Sequence, residues 1–189
     1  MKSIQNTLKA SLLLVLIASA ITACKKDDDL IPVPPPVENE GEVITTVELT
    51  FTDSAGVAPT VTATFRDPDG EGGNGPDIQD TIRLAAGTTY NVAIELLNET
   101  ETPAEDITHE IEDEATEHLF CYTVTGANIA VERTDTDGTY EVGLATKWTV
   151  GTASNGSVQV VLKHQPDVKD GSCDPGETDI DVTYVTEIQ

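Results

Sequence analysis

The chain has 189 residues and carries 34 acidic against 10 basic side chains, a formal charge of -24. A surface of that sign repels phosphate backbones and anionic headgroups, so it excludes nucleic acid as a partner and requires any membrane attachment to be covalent or protein-mediated. At 38% hydrophobic residues the composition is still that of a folded chain, with length for one ordinary core and not two.

Residues 1–23 have the pattern of a secretory signal peptide. Lys2 and Lys9 form its positive region, and the apolar stretch from Ala10 to Ala18 is too short to span about 30 Å of hydrocarbon as a helix. Ile21-Thr22-Ala23-Cys24 resembles the lipobox of bacterial lipoproteins. That resemblance implies that Cys24 is diacylated, becomes the new N-terminus and holds the protein to a membrane through its fatty acyl (palmitate-type) chains. Lys25-Lys26-Asp27-Asp28-Asp29 is similar to the export signal of Bacteroidota lipoproteins, which implies the outer face of the outer membrane, with a periplasm-facing domain as the alternative. The Pro-rich stretch up to residue 42, with Pro32-Val33-Pro34-Pro35-Pro36 at its centre, favours an extended polyproline conformation. Residues 24–42 are therefore expected to be a tether, and residues 43–189 the folded domain.

Period-two alternation governs that domain. The apolar sets are Val43 to Phe51, Val61 to Phe65, Ile82 with Leu84, Tyr90 to Leu96, Phe120 to Val124, Ile129 with Val131, Leu144 to Val150, Val158 to Leu162 and Ile180 to Ile188. Eight or nine short strands with turns such as Asp137-Gly138 and Asn155-Gly156 predict an all-β antiparallel sandwich, immunoglobulin-like or jelly-roll. One acidic amphipathic helix interrupts it. Thr102-Pro103-Ala104-Glu105 has the form of a capping box, and Ala104, Ile107, Ile111 and Ala115 recur at helical spacing, so the helix is expected to begin at Pro103.

Several side-chain sets bear on function. With Cys24 assigned to lipid, Cys121 and Cys173 are an even remainder in an exported chain and are expected to form a disulfide. Asp67, Asp69, Glu71, Asn74 and Asp77 lie in a glycine-rich loop whose alternating oxygen donors suit Ca²⁺. His118 ends the helical region and His164 ends the strand Ser157–His164 on its inward parity. Were those strands antiparallel neighbours, the two imidazoles would meet, and with Glu114 they would suit Zn²⁺, Cu²⁺ or a similar ion. Nucleophile elbows, phosphate loops and H-E-x-x-H are all missing from the sequence, so a non-enzymatic role is expected.

Thr64-Phe65-Arg66-Asp67-Pro68-Asp69-Gly70, Leu97-Asn98-Glu99, Pro103-Ala104-Glu105-Asp106-Ile107 and Gly176-Glu177-Thr178-Asp179-Ile180 together resemble a group of uncharacterised Bacteroidota outer-membrane lipoproteins. Members of that group carry the label "type 1 periplasmic binding fold", whereas the alternation here predicts an all-β body. The expected anchor, the spacer and the absence of catalytic signatures lead instead to the expectation of a surface-displayed binding or accessory module for an extracellular ligand or an outer-membrane partner, such as a TonB-dependent transporter. The alternative expectation is a lipoprotein that captures a divalent metal.

Overall fold

The computed structural model describes residues 42–70 and 73–189. The expected lipidation at Cys24, the leader, the tether up to residue 41 and the expected calcium ligand Glu71 lie outside the described residues. Eleven strands and one short helix follow in the order β1 (Thr46–Asp53), β2 (Val61–Arg66), β3 (Ile78–Gln79), β4 (Ile82–Leu84), β5 (Thr89–Asn98), β6 (Glu105–Asp106), α1 (Ile107–Asp113), β7 (His118–Thr125), β8 (Ile129–Arg133), β9 (Ala145–Val150), β10 (Ser154–His164) and β11 (Glu177–Ile188). The protein is an all-β sandwich. Every apolar alternation read from the sequence overlaps a strand, although Val43 and Leu144 precede β1 and β9 and Val43 is exposed; β3 and β6, two residues each, are the additions.

One sheet runs β3-β2-β1-β5-β9-β8, with β6 attached to β5; the other runs β4-β11-β10-β7. All pairs are antiparallel except β4 with β11. Alternation places one side of each strand inside: Val47, Leu49 and Phe51 on β1, Val92, Ile94 and Leu96 on β5, Val158, Val160 and Leu162 on β10, and Val182 and Tyr184 on β11 share a single buried cluster. The inner faces of the two sheets meet through polar aromatics as well as aliphatics. The Tyr184 hydroxyl donates to the Val47 carbonyl at 2.9 Å. Tyr122 and Phe51 both stand edge-on to Trp148, and the Trp148 indole N–H is satisfied by Thr146 Oγ1 at 2.8 Å. Such edge contacts add about 0.5–1.5 kcal/mol to the area they bury.

The helix is shorter than the sequence predicts. Thr102-Pro103 lies before it, Ala104 is exposed, and Glu105 and Asp106 are paired as a strand with Asn98 and Leu97. Extended backbone at 105–106 excludes a helix start at Pro103. The cap is Asp106 instead, whose side chain accepts from the Thr108 N–H at 3.0 Å. Only Ile107 and Ile111 of the expected stripe are fully buried, with Ala115 packed beside the core past the helix end.

A buried ion pair ties down the connection after β10. Lys169 Nζ lies 2.7 Å from Asp137 Oδ2, each side chain being 4% exposed, and also donates to the Ala115 carbonyl at 2.7 Å. Burial pushes the Asp137 carboxyl up, but Lys169 and the backbone N–H groups of Tyr140 and Thr139 outweigh it and hold the group at about 2. Removing one partner of such a pair leaves a buried charge and costs about 3–5 kcal/mol. Lys169→Met should lose stability of that order in chemical denaturation, and adding Asp137→Asn should recover part of the loss. Equal stabilities of parent and Lys169→Met would show that the pair contributes nothing.

Candidate functional site

The sandwich gathers a cluster of polar side chains at the end where β7 starts, β10 finishes and β11 starts. Antiparallel pairing of β10 with β7 places His164 opposite His118, which is the adjacency the expected two-histidine set required. The imidazole rings stack with centroids 4.5 Å apart and planes 18° from parallel. His118 is fully buried and His164 nearly so. His118 Nδ1 lies 3.2 Å from the Glu114 carbonyl; a ring nitrogen facing a carbonyl must carry the proton, so Nε2 is left as a bare lone pair.

Backbone contacts explain why Glu114 belongs to the same place. The Glu114 N–H closes the helix onto Glu110 O, and the Glu117 N–H turns back to Glu114 O. Gln165, next to His164, donates its N–H to Glu117 O at 2.6 Å, and Lys169 grips Ala115 O. The turn from 114 to 117 is therefore fastened to the end of β10. Donor atoms of Glu114, His118 and His164 all come within 4.8 Å of one another. Glu114 is exposed while both histidines are buried, so the set reaches solvent on the Glu114 side. Glu117 Oε2 stands 3.7 Å from His164 Nε2.

A fourth group, Asp179, was not singled out from the sequence. Its side chain is 2% exposed and its Oδ2 lies 3.9 Å from His118 Nε2. A bulge carries it there: Leu162 pairs with Ile180 and Lys163 with Thr178, so Asp179 is the extra residue of β11. Gly176, at φ +83, makes the sharp turn into that strand, where a Cβ would collide with the His164 carbonyl. His118 Nε2, His164 Nδ1 and Nε2, Asp179 Oδ2 and the neighbouring Gln165 Oε1 are buried with no hydrogen-bond partner among the described residues. Each such atom costs about 1–3 kcal/mol.

The electrostatics follow from crowding. Burial, aided by the proximity of His164 and Lys169, depresses His118 to about 4 against a partial offset from the Glu114 carbonyl, so the imidazole is neutral. Burial raises Asp179, and Glu177 adds to this, while His164, the Glu42 N–H and Lys163 oppose it. Glu42 is pushed up to about 7 by burial and then by Glu110, Asp179 and Glu114, with His164 opposing.

The other expected site residues are dispersed. Asp69 Oδ2 accepts from the Asn74 N–H and side-chain amide at 2.8 and 2.9 Å. Asp77 is held by Arg66 at 2.7 Å, and the same guanidinium grips Glu99. Burial and the neighbouring Asp69 carboxylate raise Asp67. Asp69 and Asn74 are thus brought together, and Asp77 is drawn to Arg66. Cys121 and Cys173 form a disulfide in the structure, with Cα atoms 6.1 Å apart, fastening the 165–176 connection to β7 three residues from His118. His109 is exposed beside Glu112, at 3.3 Å.

No protein-family model, no curated protein and no solved structure matches this chain.

The shifts fix how stability should vary with pH in the presence of a chelator. Glu42 in the folded state keeps a proton that the unfolded chain releases above about 4.5, so its contribution is full below that pH and is lost as pH rises through 7. His118 acts oppositely, because the unfolded chain takes up a proton between pH 6.5 and 4 that the folded state refuses. Glu42→Gln should therefore stabilise the protein at pH 8 and leave it unchanged at pH 4, measured by thermal melts. An equal effect at both values would contradict the shift.

Proposed function

We propose that the protein is a non-enzymatic binding module whose ligand is a divalent transition-metal ion, held by His118, His164 and Glu114. The observation that carries the reading is the pair of stacked, buried imidazoles, three of whose four ring nitrogens lack hydrogen-bond partners among the described residues. A neutral imidazole with its far N–H on a backbone carbonyl is how proteins orient a ligating histidine, and His118 has that arrangement. An ion with Zn–N bonds of about 2.0–2.1 Å needs tetrahedral ligand atoms ~3.3 Å apart. The donors, now within 4.8 Å, close to that spacing by a small splay of the two rings and a swing of exposed Glu114. Imidazole selects Zn²⁺, Cu²⁺ or Ni²⁺ over Ca²⁺, which takes six to eight oxygens.

The lipobox-like Cys24, the Lys-Asp run and the Pro-rich tether support display of this module on the outer face of an outer membrane. In that setting it would sequester the ion or present it to a membrane partner. Titration calorimetry tests the binding reading. The purified protein should take up one equivalent of Zn²⁺ or Cu²⁺, and His118→Ala and His164→Ala should each weaken binding by more than about 100-fold. Excess Ca²⁺ should not compete. Unchanged binding in both histidine variants would refute the proposed site.

A further inference from the structure

We infer that Asp179, carried inward by the bulge in β11, is the fourth protein ligand, which makes this a closed N₂O₂ site that holds a tetrahedral ion such as Zn²⁺. The inference rests on the metal reading proposed above and adds a residue and a coordination class to it.

Three observations converge on Asp179. Its neighbours in sequence, Glu177, Thr178 and Asp181, are exposed, whereas its own side chain is 2% exposed. Strand parity does not produce this; the extra residue opposite Lys163 and Leu162 does. The buried Oδ2 has no hydrogen-bond partner among the described residues and faces the bare Nε2 of His118 at 3.9 Å. An ionised Oδ2 facing a bare ring nitrogen sets two acceptors against each other, an arrangement that a cation between them reverses.

Charge gives a further reason. A divalent cation bound by two neutral imidazoles and the carboxylates of Glu114 and Asp179 forms a cluster of zero net charge. Taking a neutral cluster out of water avoids the several kcal/mol per ion that an unmatched buried charge costs. With Glu114 alone, the cluster would keep a positive charge beside His118, which is fully buried. Four protein ligands also leave no open position, which is the pattern of sites that retain a metal rather than use it as a Lewis acid.

Three variants titrated with Zn²⁺ and with Co²⁺ test this: Asp179→Asn, Asp181→Asn and His118→Ala. Asp181 is exposed and bonded to Gln159, so it controls for the loss of one acidic charge from the same strand. Asp179→Asn should weaken Zn²⁺ binding by more than about 100-fold and should abolish the intense visible absorption of four-coordinate Co²⁺. Asp181→Asn should leave both as in the parent. Thermal melts of Asp179→Asn in chelator should match or exceed those of the parent, since a buried charge is removed. Parent-like affinity and Co²⁺ spectrum in Asp179→Asn, with binding still lost in His118→Ala, would overturn the fourth ligand and leave the three-residue site standing. Parent-like binding in His118→Ala would overturn both.

Discussion

The register of β10 against β7 is the constraint on which this end of the sandwich depends. Eight residue pairs run from Ser157 opposite Thr125 to His164 opposite His118, and a slip of one residue would turn every inward side chain of β10 to solvent. Val158, Val160 and Leu162 are all fully buried, so the hydrophobic cost of such a slip fixes the register. The imidazoles meet as a consequence. Their stacking contributes at most about 1.5 kcal/mol, less than the summed cost of the three unpaired ring nitrogens it encloses, at about 1–3 kcal/mol each. Core packing holds the two histidines in an arrangement they would not adopt for their own sake.

The strands were legible because alternation is a local property of one-sided antiparallel sheets. Each of the nine apolar sets overlaps a strand, and the inward parity of His164 can be counted forward from Val158. The sequence pattern places the helix start too early for a physical reason. Thr102 to Glu105 has the composition of a capping box, but Glu105 and Asp106 gain more by pairing with Leu97 and Asn98, a partner that spacing alone does not reveal. The inward placement of Asp179 is hidden from local spacing on the same ground. Counting in twos from Val182 puts it on the wet face with Asp181, and the bulge that reverses it is set by how β11 pairs with β10. Of the proposed four ligands, three could be named by counting along a strand or helix, and the one displaced by a bulge could not.

Rigidity around the polar cluster comes from connections that close on it from several directions. The 165–176 connection leaves from His164 and returns to Glu177, and it is fastened by Cys173 to Cys121, by Lys169 to Asp137 and Ala115, and by Gln165 to the carbonyls of Ser172 and Pro175. Gln165 also holds the turn that carries Glu114. A ligand set supported in this way loses little conformational freedom on binding, and precision of this kind distinguishes a site from an acidic patch.

The acidity of the chain and the buried histidines then divide the work of recognition. A charge of -24 raises the local concentration of every divalent cation. Exposed carboxylates such as Glu110, Glu112 and Asp113 are hard oxygen donors that suit Ca²⁺ and Mg²⁺ as readily as Zn²⁺. Discrimination requires nitrogen donors, and among the described residues the two buried imidazoles supply them in one place. They are also shielded from competition, because a weakly bound Ca²⁺ ion would have to shed most of its water to reach them and would find two carboxylates where it needs six or more oxygens. Selectivity in the proposed site therefore resides in burial as much as in ligand identity. Moving the same two histidines to the exposed face of α1, where His109 already stands between Asp106 and Glu112, would keep the donors and lose the discrimination.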